Sequence, residues 1–343
     1  MADDHGTGAI AKASTESARR IREKLKRELG PLILGLLADD SVIEIMLNPS
    51  RDGGDGELWV DRLGRPMELV GRMSASQAES LMATVASTLK TAITAASPIL
   101  ECELPIGGER FEALIPPVVA SPTFAIRKKA IQVFDLADYV ARGIMTADQR
   151  SAIERAVAAR RNILVVGGTS TGKTTLTNAI IRQIAAADPH SRILIIEDTA
   201  ELQCTAKNAV ILRSTDHADM TRLLKATMRL RPDRILVGEV RDGAALALLK
   251  AWNTGHPGGV ATVHANDAAA GLIRLEQLIA EVTSAPMTTL ISEAVDLVVC
   301  IERDENSPAG RRIREVLEVV GHDGPHYLTR SAIINTNTEG ESP

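Results

Sequence analysis

The stretch NILVVGGTSTGKTT, residues 162–175, constrains this chain more than any other. Residues 163–166 are four consecutive apolar positions, mostly β-branched, the composition of a strand buried on both faces in a parallel sheet. A glycine-rich turn follows, and Leu176, Ala179, Ile180 and Ile181 then mark a helix. Within the turn Gly167, Gly172, Lys173 and Thr174 fill the spacing G-x-x-x-x-G-K-[ST]. Glycines let the backbone curl so that successive N–H groups point at phosphate oxygens, and the helix N-terminus adds partial positive charge. The candidate cradle is Gly167, Gly168, Thr169, Ser170, Thr171, Gly172, Lys173, Thr174 and Thr175. Lys173 has the reach for β- and γ-phosphates, and the Thr174 hydroxyl suits Mg²⁺. An ordinary strand–helix turn that happens to hold Gly-Lys-Thr is the competing reading. The strand before it and the helix after it favour a nucleoside triphosphate site, with ATP and Mg²⁺ as the ligands.

Composition limits the remaining classes. At 343 residues the chain is long enough for two domains. Hydrophobic residues make up 45% but aromatics only 2%, so the core is built from Leu, Ile, Val and Ala. Against 39 basic residues stand 44 acidic ones, a net charge of −5, which gives no global attraction to nucleic acid or acidic lipid. Cys102, Cys204 and Cys300 lie far apart with no C-x-x-C, so neither a zinc ribbon nor a disulfide framework is indicated. A reducing, cytoplasmic setting fits. The longest apolar runs, such as 32–38, fall short of the ~20 residues a membrane span needs, and the polar N-terminus has no signal-peptide core. Membrane association is therefore expected to be peripheral.

Along the chain, residues 1–15 read as disordered. Ile21, Leu25 and Leu29 recur at helical spacing until Gly30-Pro31 stops them, and a short second helix covers 32–38. Strands are expected at 42–47 and 58–60, around a turn at 48–57. Capping boxes at Ser74/Gln77 and Ser76/Glu79 open a helix with Leu81, Val85, Leu89 and Ile93 on one stripe, and strands follow at 111–115 and 123–127. This describes an α+β domain over 16–129. A linker over 130–146 carries a short helix at 136–142 and a stop at Gly143. From 147 to 330 strands and helices alternate, with apolar runs at 163–166, 193–196, 210–212, 235–237, 260–263 and 295–301. That pattern is α/β, a mostly parallel sheet with helices on both faces. A strand at 311–320 and a turn at 321–327 close it, and 331–343 form a polar tail.

Three further segments carry chemistry. The strand RILV leads into Gly238-Glu239, and a carboxylate at the carboxyl end of a strand beside the phosphate loop is placed to hold Mg²⁺ through water or to polarise the attacking water. The sequence leaves both roles of Glu239 open. The strand ILII leads into Glu197-Asp198, two adjacent acids that repel one another unless a cation lies near. Thr174, Glu239 and Asp198 are thus the candidate Mg²⁺ residues, with Lys173, Glu239 and Glu197 as candidate catalytic groups. GHPGGVATVHAND sets two histidines around a glycine turn and a strand, a pairing more often structural than catalytic. His264, at the strand end, has the alternative of bonding the γ-phosphate or its neighbouring carboxylate.

Taken together, GGTSTGKTT, RILIIEDTAEL, RILVGEVRDGAA and GHPGGVATVHAND resemble the phosphate loop, acidic box, Walker B segment and histidine box of the secretion-superfamily traffic ATPases, in that family's order. EIMLN, LWVDRLG and GERFEALIPP…FAIRKK resemble the N-terminal domain of its conjugation branch. The resemblance implies a RecA-like P-loop NTPase domain behind a smaller α+β domain, and Mg²⁺-dependent ATP hydrolysis. It implies a homo-hexameric ring acting with inner-membrane components of a conjugation or type IV secretion channel. It also implies nucleotide-reaching arginines, for which Arg110 and Arg127 occupy the matching positions. The tetracysteine module common in type II secretion and pilus-assembly motors has no counterpart in this sequence, although those branches remain the alternative. A helicase-like nucleic-acid motor is disfavoured by the acidic balance and scarce aromatics, and no sequence-specific nucleic-acid contact is expected. A nucleotide-gated scaffold is disfavoured by the presence of Lys173 and Glu239.

Overall fold

Two sheets build this molecule, one in each of two units, Met1–Ile131 and Gln132–Pro343: buried and half-buried residues alternate along the inner strands of the first, whereas the central strands of the second are buried throughout. The computed structural model describes residues 5–50, 54–62, 65–128, 134–215 and 217–333. The first unit contains α1 (His5–Ala38), β1 (Val42–Asn48), β2 (Gly56–Arg62), β3 (Glu68–Met73), α2 (Ala75–Thr88), β4 (Ile99–Glu103), β5 (Arg110–Leu114) and β6 (Thr123–Arg127). Its strands lie in the order β3-β2-β1-β6-β5-β4, every pair antiparallel. Phe111, Ala113, Phe124 and Ile126 point into the core with Leu25, Leu29 and Ile33 of α1 and Leu81 and Val85 of α2.

Helix α1 breaks where the sequence requires it. Gly30 takes φ 72° and ψ 168°, because Pro31 has no N–H to continue the helix and excludes helical geometry from the residue before it. The backbone is helical from His5, ahead of the expected start near residue 16, since the apolar stripe that signals a buried helix begins only at Ile21. Of the two possible capping boxes, Ser74 with Gln77 is the one that forms at the head of α2. Strands β3 and β4 were not expected. Both are edge strands with little apolar alternation, held by the ladders of β2 and β5.

The second unit runs α3 (Leu136–Ala141), α4 (Ala147–Ala158), β7 (Ile163–Gly167), α5 (Lys173–Ala187), β8 (Ile193–Glu197), β9 (Ala209–Arg213), α6 (Met220–Thr227), β10 (Arg234–Val237), α7 (Ala244–Asn253), β11 (Val260–His264), α8 (Ala268–Ala280), α9 (Thr288–Ala294), β12 (Leu297–Arg303), β13 (Arg311–Asp323) and β14 (His326–Ser331). The order β14-β13-β12-β7-β11-β10-β8-β9 is parallel from β12 to β9, with β13 and β14 antiparallel at one edge. Every residue of β7 is buried, because the period of two sends Ile163 and Val165 to one apolar layer and Leu164 and Val166 to the other. Each such side chain stabilises the fold by about 1.5–3 kcal/mol.

Where the sequence suggested a linker, α3 packs Leu136 and Tyr139 into the second unit's core, and Gly143 follows it at φ 70°. Helix α9 was not expected, and the strand at 311–320 extends to Asp323 and returns as β14. Part of the expected linker (130–133), part of the tail (334–343) and residues 1–4 lie outside the described residues, as does residue 129 at the end of the expected first domain.

Candidate functional site

All the groups of this site stand at the carboxyl ends of parallel strands, where crossover connections leave a crevice for ligands. Strand β7 ends at Gly167, tight against β12, for a Cβ there would lie 2.3 Å from the Ile301 carbonyl oxygen. The chain then turns through Ser170 (φ 57°) and Gly172 (φ 102°) before α5 begins at Lys173. Gly172 heads α5 in the left-handed region, with no side chain to cap the helix, so the first N–H groups of α5 remain available to an anion.

Lys173 is buried, and its ammonium rests on the loop itself. Nζ donates to the carbonyls of Gly167 at 2.9 Å and Gly168 at 2.7 Å, and lies 3.1 Å from Nδ1 of His264. His264 is carried there by the parallel register of β11 against β7, which pairs it with Gly167. Its other nitrogen, Nε2, lies 3.2 Å from Oε1 of Glu239. One tautomer satisfies both contacts: Nε2–H donates to Glu239, and Nδ1 accepts from Lys173.

Glu239 follows β10 by two residues and also holds Arg241, whose Nε is 3.0 Å from Oε1. Burial pushes the Glu239 carboxyl up, but the Arg241 hydrogen bond and charge, with His264 and Lys173, outweigh it and hold the group below the usual glutamate range. It is therefore ionised at neutral pH. The turn beneath it is fixed by Thr262, whose hydroxyl donates to the Gly238 carbonyl at 2.7 Å.

The two acids at the end of β8 turn to different partners. Glu197 is buried, and its Oε2 accepts the backbone N–H groups of Glu201 and Leu202, each at 2.9 Å. Burial raises its pKa, against the lowering effect of those two bonds. Asp198 accepts from the Ser214 hydroxyl and lies 3.8 Å from Arg241. The carboxylate that reaches the phosphate loop is that of Glu201, whose Oε2 accepts from the Thr174 hydroxyl at 3.2 Å. Asn178 of α5 holds this segment at both ends, donating to the Glu201 carbonyl and accepting from the Gln203 N–H. Sequence reading did not single out Glu201. Its signal was present as a third acid, three residues beyond Asp198. A threonine hydroxyl beside a carboxylate is a pair of hard oxygen donors of the kind Mg²⁺ takes.

Arg110 and Arg127 belong to the first unit. They sit directly opposite one another on β5 and β6, and Arg127 also faces Glu44 of β1. Neither guanidinium is hydrogen-bonded or ion-paired to a described residue. Two like charges so placed disfavour the sheet unless an anion or Glu44 offsets them.

A family model described as Type II/IV secretion system protein matches residues 40–316. The chain is 54% identical over 300 residues to the Probable conjugal transfer protein TrbB of Sinorhizobium fredii, covering 88% of this chain and 90% of that one. It is 30% identical to the Type IV secretion system protein VirB11 of Bartonella quintana, over 86% of this chain and 93% of the other. Among solved structures, the ATPase DotB of Legionella pneumophila matches with a TM-score of 0.55 and 19% identity, over 86% of this chain and 77% of that one, a likeness of fold.

Proposed function

Because this chain belongs to the type II/IV secretion system protein family, we propose that it is a Mg²⁺-dependent ATPase that energises conjugal transfer or type IV secretion. The observation that carries the reading is the contact chain from Lys173 through His264 to Glu239 at the mouth of the phosphate loop. A triphosphate entering the loop would meet the backbone N–H groups at the head of α5, and Lys173 would exchange its carbonyl partners for phosphate oxygens. Mg²⁺, when bound, would neutralise charge on the β- and γ-oxygens; Thr174 and Glu201 are the residues fitted to hold it, directly or through water.

Glu239, kept ionised, accepts a hydrogen bond from the attacking water and so orients it towards the γ-phosphorus. His264 keeps that carboxylate in place and moves when Lys173 moves, so the state of the phosphate reaches β11. Glu197 acts through the loop it anchors, fixing the backbone that carries Glu201. Arg110 and Arg127 keep the role the family implies for them, as further cations for the γ-phosphate within an assembled ring. The assembly is proposed to be a homo-hexamer, cytoplasmic and peripheral to the inner membrane, working with channel components there. No described helix is long and apolar enough to cross a membrane.

The test is turnover and binding in two variants. Lys173→Ala should lose ATP hydrolysis, and Glu239→Gln should bind ATP while hydrolysis falls about a hundredfold or more. Activity of Lys173→Ala at the wild-type level would refute the site.

A further inference from the structure

The phosphate loop has two flanks, and the groups described so far occupy one of them. His264 ends β11, and Glu239 and Glu201 follow β10 and β8, all on one side of β7 in the sheet. On the other side lie β12 and β13. Their antiparallel pairing sets Arg311, the first residue of β13, opposite Arg303 at the same end of the sheet as the phosphate loop. The turn between them is closed by bonds among Asp304, Ser307 and Gly310, and the Ser307 hydroxyl donates to the Arg311 carbonyl at 2.9 Å.

The Arg311 side chain lies against the loop. A Cβ on Gly172 would stand 2.5 Å from its Nη1, 3.6 Å from Cζ and 3.7 Å from Cδ, so only a glycine lets the guanidinium come so close. Arg311 is half-buried, yet its guanidinium makes no hydrogen bond or ion pair with any described residue. Burial and the like charge of Arg303 disfavour its cation. A partly desolvated guanidinium with no carboxylate beside a phosphate-binding turn is suited to an anion that arrives with the ligand.

Which part of the ligand it meets follows from the sheet order. With the metal and γ-phosphate drawn to the Glu201 and Glu239 flank, the α-phosphate must run across Gly172 towards the opposite flank. We propose that Arg311 binds the α-phosphate of the nucleotide, and therefore serves ADP and ATP alike. This rests on the nucleotide reading of the site. Arg311 accordingly retains the spent nucleotide after hydrolysis, while the γ-phosphate flank senses its loss.

The test is titration of the full-length protein with fluorescent ADP, and with ATP in competition, in chelator so that turnover is absent. Arg311→Gln keeps much of the length and loses the charge. It should weaken ADP and ATP by the same factor, about ten- to a hundredfold, the range of a charge-assisted hydrogen bond. Arg311→Lys should recover part of that loss. The melting temperature without ligand is read alongside; if it falls in Arg311→Gln, Arg311→Lys carries the test, because loss of the fork alone should still weaken both nucleotides equally. An ADP dissociation constant within twofold of wild type, or weakening confined to ATP, would overturn the assignment. Failure of the wild-type protein to bind ADP would instead overturn the underlying nucleotide reading.

Discussion

Nζ of Lys173 and Nδ1 of His264 lie 3.1 Å apart although 91 residues separate them in the chain. The phosphate loop and the end of β11 are thereby one hydrogen-bonded unit, continued to Glu239 through Nε2. In His264→Ala, Glu239 loses one of its donors and Lys173 loses its contact with Nδ1. Turnover should fall about tenfold or more, as expected for a lost hydrogen bond to a charged group, while ADP affinity changes less. Steady-state kinetics beside an ADP titration measures both, and an unchanged kcat would remove His264 from the mechanism.

Glu201 should govern the metal requirement. Glu201→Gln keeps the shape that accepts from Thr174 and removes the charge a cation needs. The Mg²⁺ concentration for half-maximal turnover should rise about tenfold, with ADP binding in chelator little altered. Asp198→Asn should shift it less, since Asp198 is engaged by Ser214 and Arg241. A larger shift for Asp198 than for Glu201 would reverse the assignment.

Glu197 offers a pH-dependent stability test. Its folded pKa is raised by burial, so the folded state binds a proton that the unfolded state has already released. Stability tied to this group is present at low pH and is lost as pH rises through the ordinary carboxylate range and up to the folded pKa. Glu197→Gln stays uncharged and still has an oxygen for the N–H groups of Glu201 and Leu202. Its melting temperature should exceed the wild type's at pH 8 and the gap should close at pH 4. A gap that widens on acidification would contradict the direction of the shift.

Asn162, at the opposite end of the sheet, supports the site from below. Its side chain accepts the N–H groups of Gly258 and Gly259 at 2.8 and 3.0 Å and donates to the Ala294 carbonyl at 2.8 Å. Asn162→Ala leaves these backbone groups unpaired in a buried place, at a cost of about 2–4 kcal/mol. Urea denaturation should show the midpoint lowered accordingly, and a midpoint equal to the wild type's would mean that water replaces the amide.

By itself, the sequence determined the phosphate loop and the parallel sheet around it. The reason is locality: the cradle is made by consecutive residues, so Gly167 to Thr174 specify it wherever the rest of the chain goes. The unbroken apolar runs 163–166 and 193–196 likewise demand burial on both faces, which few sheets other than parallel ones provide. Only the tertiary structure decided what surrounds the loop. Glu197, Asp198 and Glu201 are equivalent as acids in sequence, and they are separated by the two N–H groups that bind Glu197 and by the path of the backbone back to Thr174. His264 joins Lys173 because β11 pairs with β7 in one register, and Arg311 reaches Gly172 because β13 runs antiparallel beside β12. Edge strands β3 and β4 escaped sequence reading for a related reason: their partners, more than their own apolar pattern, make them strands. Pairings between residues far apart in the chain exist only once the sheet has formed.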